Sequence, residues 1–129
     1  MIQIKNILSS KSIIVDQNGQ LSINQIVDDI ACQSVPTRLT ELCFILFFER
    51  DMKDSNTLNG VEITLYLNET IISKNILNID FKGRKHNRTI AELSNLSITA
   101  LGELKIVARL ENVKIGEHKI DILKADINS

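Results

Sequence analysis

The densest cluster of reactive side chains in this sequence is Lys82-Gly83-Arg84-Lys85-His86-Asn87-Arg88, with four fixed cations and a histidine in seven residues. Guanidinium forks match phosphate and carboxylate oxygens in pairs, so Lys82, Arg84, Lys85, His86 and Arg88 form a candidate anion-binding set. The segment is not a P-loop, because no glycine-rich run leads into a helix N-terminus. Cations in a solvated turn have a plainer use as well: they discourage the edges of sheets from pairing.

Two acidic patches invite a calcium reading, and neither has the right pattern. Asp16-Gln17-Asn18-Gly19-Gln20 places its glycine at position four of a loop counted from Asp16 and Val27 at position twelve. A helix-loop-helix calcium site needs glycine at six and a bidentate glutamate at twelve. Glu49, Asp51 and Asp54 flank one loop, as in calcium-binding C2 domains, but Arg50 and Lys53 interleave them. Cys32 and Cys43 form no CxxC pair and have no histidine at metal spacing, so they read as buried, reduced thiols. No metal and no cofactor is expected.

Catalytic signals are missing. His86 and His118 are the only histidines, and no G-x-S-x-G elbow, H-E-x-x-H or Walker pattern occurs. Asp28 and Asp29 are sequence neighbours, so on a strand they point to opposite faces and cannot share a proton. The sequence reads as a non-enzymatic protein.

The patterning indicates what must position these residues. Asn18-Gly19 between aliphatic runs is a hairpin signal. A three-residue loop, Gln17-Asn18-Gly19, pairs Val15 with Leu21 and Ile13 with Ile23. A two-residue loop would set apolar against polar side chains, so the longer one is preferred, with Asp16 starting a type I turn and Gly19 left-handed. The second strand changes phase: Leu21 and Ile23 lie on one parity, Ile26 and Ile30 on the other. This implies a bulge near Gln25, where the strand crosses between sheets. Pro36 closes that strand, with Thr37 to Thr40 as a connector. A third strand runs from Glu41 to Arg50, and Asp51 to Gly60 reads as a loop.

Beyond it, Val61, Ile63, Leu65 and Leu67 alternate with Glu62, Thr64 and Tyr66, a half-buried strand. A strand from Ile71 to Lys82 follows, with Leu77, Ile79 and Phe81 on one face. Gly83 to Arg88 is a basic loop. Thr89 to Ile98 fits a helical turn about as well as a strand; strand is preferred because its surroundings are β. Leu104, Ile106, Ala108 and Leu110 face inward from the next strand, and a last hairpin returns through Val113 to Gly116 and ends in His118 to Leu123.

The fold expected is all-β: a two-sheet antiparallel β-sandwich, immunoglobulin- or C2-like, of about eight strands. Its 129 residues fit one domain, residues 1–129. Leu42-Cys43-Phe44-Ile45-Leu46-Phe47-Phe48 is apolar on both faces, so something must cover the second face. Either Asp51 to Gly60 folds over it, or Cys43, Ile45 and Phe47 meet a protein partner or a second copy.

Charge and composition narrow the partners. The formal net charge is −1, so no global field draws the chain to nucleic acid or an anionic membrane. One Tyr, four Phe and no Trp argue against the aromatic platforms that bind single strands. Met1 to Ser10 lacks an apolar run of signal-peptide length, and no segment is long and apolar enough to span a bilayer. A cytoplasmic location is expected, where the sequons at Asn68, Asn87 and Asn95 have no role.

The order of these features resembles a known family. "VDQNGQLSINQIVDDI", Pro36, "LCFILFFERD", "IDFKGRKHNR" and "LSNLSITALGELKIVARLE" are similar to a family of small bacterial proteins catalogued only as a domain of unknown function. The similarity runs from about Lys11 to Leu123, and its motifs are structural punctuation. Members often carry an aromatic after Gly-Glu and a Trp before Glu-Arg; Leu104 and Phe48 stand there in this chain. The resemblance implies a β-sandwich and supplies no activity, cofactor or site residue.

Overall fold

The computed structural model describes residues 2–15, 21–39, 42–54, 56–93 and 95–125, and the fold they form is all-β. The Asp16–Gln20 patch, with its proposed turn type and left-handed Gly19, lies outside the described residues. The strands are β1 (Gln3–Val15), β2 (Leu21–Ile26), β3 (Asp29–Cys32), β4 (Thr37–Leu39), β5 (Leu42–Glu49), β6 (Thr57–Leu67), β7 (Thr70–Asp80), β8 (His86–Leu93), β9 (Leu96–Ile98), β10 (Gly102–Leu110) and β11 (Val113–Lys124).

They form a four-stranded sheet ordered β2-β1-β5-β8, a five-stranded sheet ordered β3-β11-β10-β6-β7, and a two-stranded sheet, β4-β9. Eleven strands in three sheets replace the expected eight in two. The excess comes from segments with too few residues to show a period. Thr37–Leu39 pairs with Leu96–Ile98 instead of serving as a connector, and β6 begins at Thr57, inside the expected loop. Pairing is antiparallel except between β3 and β11, which run parallel.

The first hairpin has the register that buried-face matching requires, with Ile13 opposite Ile23 and Val15 opposite Leu21. The phase change in the second strand marks a change of sheet. β2 belongs to the four-stranded sheet and β3 to the five-stranded one, with the break at Val27-Asp28. Ser9 holds that break. Its carbonyl accepts the Val27 N–H at 2.8 Å, and its hydroxyl donates to the Val27 carbonyl at 2.6 Å.

A single apolar cluster draws on both large sheets. Leu42, Phe44, Leu46 and Phe48 enter it from β5; Val61, Ile63, Leu65 and Leu67 from β6; Leu104, Ile106 and Ala108 from β10. Each fully buried large side chain of this kind contributes about 1.5–3 kcal/mol. Ile98 from β9 is also fully buried, so the small sheet covers part of the same core. Gly116 lets β11 press against β1: a Cβ there would sit 3.0 Å from the Ile4 Cβ. Thr89 to Leu93 and Leu96 to Ile98 are strands, as the surroundings suggested.

Candidate anion-binding site

The basic segment divides between a turn and a strand. The sequence places all of Gly83 to Arg88 in a loop; in the structure β8 begins at His86, so His86 and Arg88 are strand residues opposite Glu49 and Phe47 of β5. The turn comprises Phe81 to Arg84. Lys82 and Gly83 both take left-handed backbone, φ 51° and 76°, and the Arg84 N–H donates to the Phe81 carbonyl at 2.9 Å. Two consecutive positive φ values define a type I′ turn, which favours glycine at its second central position.

This turn is held by a residue that the cation cluster does not flag. Arg50 is only 5% exposed. Its Nε donates to the Arg84 carbonyl at 2.7 Å, one terminal nitrogen donates to the Asp54 carbonyl at 2.9 Å, and its guanidinium lies 5.3 Å from the centre of the Phe81 ring. The Arg50 backbone N–H donates to the Lys85 carbonyl at 2.9 Å. A buried guanidinium needs such acceptors. One signal was available in the sequence: Arg50 directly follows a strand with no polar residue before Glu49, where an arginine must either leave the sheet or find carbonyls.

Around this support lies an open cleft of about 670 Å³. It gathers all five predicted residues, Lys82, Arg84, Lys85, His86 and Arg88, and adds Lys5 from β1. Lys5 was missed because it is the extra residue of a bulge, where the β1–β5 register shifts between Ile4 and Asn6. The half-buried Phe47 supplies an apolar patch, and among the described residues Asp80 is the one carboxylate residue in the lining. At the rim Glu49 sits 3.1 Å from Lys5 and 3.2 Å from Lys85. Hydrogen bonds from Lys5 first, then Lys85, hold its carboxyl below the usual range. Five fixed cations thus face two carboxylates, a local positive excess on a chain of nearly balanced charge.

The other candidates are used structurally. Asp51 and Asp54 accept backbone N–H groups, from Lys53 at 3.1 Å and Asp51 at 3.0 Å. Among the described residues no cluster of three His, Cys, Asp or Glu side chains is arranged to hold a metal ion. Cys32 and Cys43 are buried and are not joined in a disulfide.

The proposed interface residues also have places. Ile45 is fully buried and Cys43 is 7% exposed, while Phe47 is half-buried against the cleft. Ile45 is flanked across the ladder by Leu8 and Ile90, an apolar row on the outer face of the sheet. Residues 51–60 were one of two candidates for covering this face, a partner being the other. Of that segment, Asn56 bonds to the turn, accepting the Phe81 N–H through its carbonyl and the Gly83 N–H through Oδ1, and Thr57 and Leu58 pair with β7.

One arrangement looks catalytic and is not. Ser9 Oγ lies 3.1 Å from His118 Nε2. The Ser9 hydroxyl proton is already donated to the Val27 carbonyl, and a hydroxyl has one proton to give. His118 must therefore donate to Ser9, which rules it out as the base that would activate that serine. Ser9 is also 1% exposed, out of reach of a substrate.

No known family model matches this sequence, and none of the curated proteins does. Function must therefore be argued from the site itself.

Proposed function

We propose that this protein is a non-enzymatic binding module that engages anionic groups of a partner through the cleft around Lys82, Arg84, Lys85, His86 and Arg88. One observation carries the reading: cations from β1, the Phe81–Arg84 turn and β8 converge on one open cleft with an apolar floor. Arg50 supports the turn from beneath, so the cations are presented on a fixed backbone. Preorganised donors bind at a lower entropy cost than mobile ones.

Titration with inorganic polyphosphate across a salt series tests this. Affinity should fall linearly on logarithmic axes as salt rises. The Arg84→Ala/Arg88→Ala variant should bind at least tenfold more weakly while keeping its thermal midpoint. Binding unchanged in that variant sinks the proposal.

A second reading, action through protein contacts including self-association, draws on β7. Ile71 and Ile76 are 56% and 68% exposed on this edge strand. Light scattering over a wide concentration range tests it, and a strict monomer removes self-association. The finer architecture belongs to the same proposal: a two-layer immunoglobulin- or C2-like sandwich, in the family of bacterial proteins that the sequence resembles, working in the cytoplasm. The shared core of the two large sheets supports the layering. Among the described residues no helix is long and apolar enough to cross a membrane.

A further inference from the structure

The geometry points to an extended acidic polypeptide segment as the partner of the cleft, added as a strand along the outer edge of β8; this rests on the anion-binding reading. Three observations converge. The first concerns what the turn cannot do. Lone phosphates are commonly cradled by backbone N–H groups in a nest. Here the Lys82 N–H goes to Asp80 Oδ1 at 2.8 Å, the Gly83 N–H to Asn56 Oδ1 at 2.6 Å, and the Arg84 N–H to the Phe81 carbonyl. The turn has spent its donors, so recognition falls to spread side chains, which suits a ligand with several separated charges.

The second observation is the edge. β8 pairs with β5 on one side and ends the four-stranded sheet on the other. Edge strands accept an added strand through their backbone groups. Cations guarding such an edge repel most candidates, and an acidic strand turns that guard into attraction.

The third is the complementarity of the two faces of β8. His86 and Arg88 share the outer face with Glu49 and Phe47 and line the basic cleft. Ala91 and Leu93 pair with Phe44 and Leu42 on the core side. There they border a second cavity of about 300 Å³ between β8 and β7, together with Ile76 and Leu77. A strand beside β8 alternates its side chains between the same two faces. One set would meet the guanidinium and imidazole, and the other would enter this second cavity, a mainly apolar space that Ser73, Asn75 and Glu92 also border. Glu92, on the outer face two residues beyond Ile90, restricts the carboxylates to the His86–Arg88 end.

The test uses the whole chain and a synthetic octapeptide alternating Glu and Val, titrated at low ionic strength and followed by amide NMR. The octapeptide should shift the amides of His86 to Leu93. Backbone N-methylation of the peptide should weaken it at least tenfold. Arg88→Glu should abolish binding and Glu92→Lys should tighten it several-fold. Equal affinity for the N-methylated peptide, or shifts confined to the turn, overturns strand addition. If inorganic polyphosphate still binds in that case, the anion site itself survives. Binding of a single-stranded oligonucleotide in place of the peptide overturns the choice of partner, and failure of every polyanion sinks both readings.

Discussion

Arg50 and Asn68 each hold a corner of the fold, and the two corners differ in what they leave for a ligand. Asn68 closes a short circuit. Its Nδ2 donates to the Leu101 carbonyl at 2.8 Å, its Oδ1 accepts the Glu103 N–H at 2.9 Å, and its own N–H donates to the Glu103 carbonyl at 2.9 Å. The polar side chain is used up in joining the Leu67–Thr70 turn to the start of β10. Arg50 likewise spends its guanidinium on carbonyls, but the residues it fixes, Arg84 and Lys85, carry charges that project into an open cleft. A polar patch does chemistry only with the side chains left over once the backbone is satisfied.

Removing the supports should break this contrast most visibly. Arg50→Ala strips two part-buried carbonyls of their donor and bares the face of Phe81, and should cost about 3 kcal/mol in denaturant unfolding. Arg50→Lys keeps the charge but cannot reach two carbonyls in a fixed fork, and should recover part of that loss. A stability equal to wild type in Arg50→Ala would mean that the turn is held by its own hydrogen bonds alone.

The next effect is smaller and compares two left-handed glycines. Gly102 has φ 135°, and a Cβ there would meet Asn68 Oδ1 at 2.0 Å; Gly83 has φ 76° and a Cβ would meet nothing within 4 Å. Gly102→Ala adds backbone strain and expels the Asn68 amide from its bonds, about 2 kcal/mol in all. Gly83→Ala pays strain alone, about 1 kcal/mol. Thermal midpoints in that order support the two-corner picture, and the reverse order refutes it.

These residues also mark how far the sequence could be read. The long alternating runs were legible because period two buries one face: Val61, Ile63, Leu65 and Leu67 lie in the core with Leu104, Ile106 and Ala108, although Thr64 and Val107, paired on the other face, are buried as well. The Ile13–Ile23 register was legible from the same alternation. Three-residue strands such as β4 and β9 carry too few positions for a period. The cationic site was visible as composition, but the places of Lys5 and Arg50 in it were not, because one depends on a bulge and the other on the Arg84 carbonyl, distant in sequence. The two apolar faces of β5 left cover by residues 51–60 and a partner interface both open, and the linear pattern could not show that Ile45 lies between Leu8 and Ile90 across the ladder.

A subtler effect separates the seam from the cleft by pH. Burial holds His118 below its ordinary value near 6.5, with the charge of Asp28 opposing. The unfolded chain therefore binds a proton that the folded chain refuses, so stability rises with pH between the lowered value and about 6.5. Acidification from about pH 8 to about pH 5.5 should lower the thermal midpoint, and His118→Gln should flatten that part of the curve. An unchanged slope would place its origin elsewhere.

The smallest effect tests whether the cleft is restrained by its own acid. Glu49 ties Lys5 and Lys85 together, and those lysines keep its carboxylate ionised below the usual range. Its pKa is lowered on folding, so the stabilisation is present above its ordinary value of 4.5 and is lost as pH falls through the lowered one. Near neutral pH, Glu49→Gln should leave the thermal midpoint almost unmoved, since ion pairs to solvent-exposed lysines contribute little. The same change releases two lysines toward a ligand, so polyphosphate should bind a few-fold more tightly and with a steeper salt dependence. Weaker binding would instead mean that Glu49 serves the site by holding the two lysines in place, making it a positioning residue for the cleft, as Arg50 is for the turn.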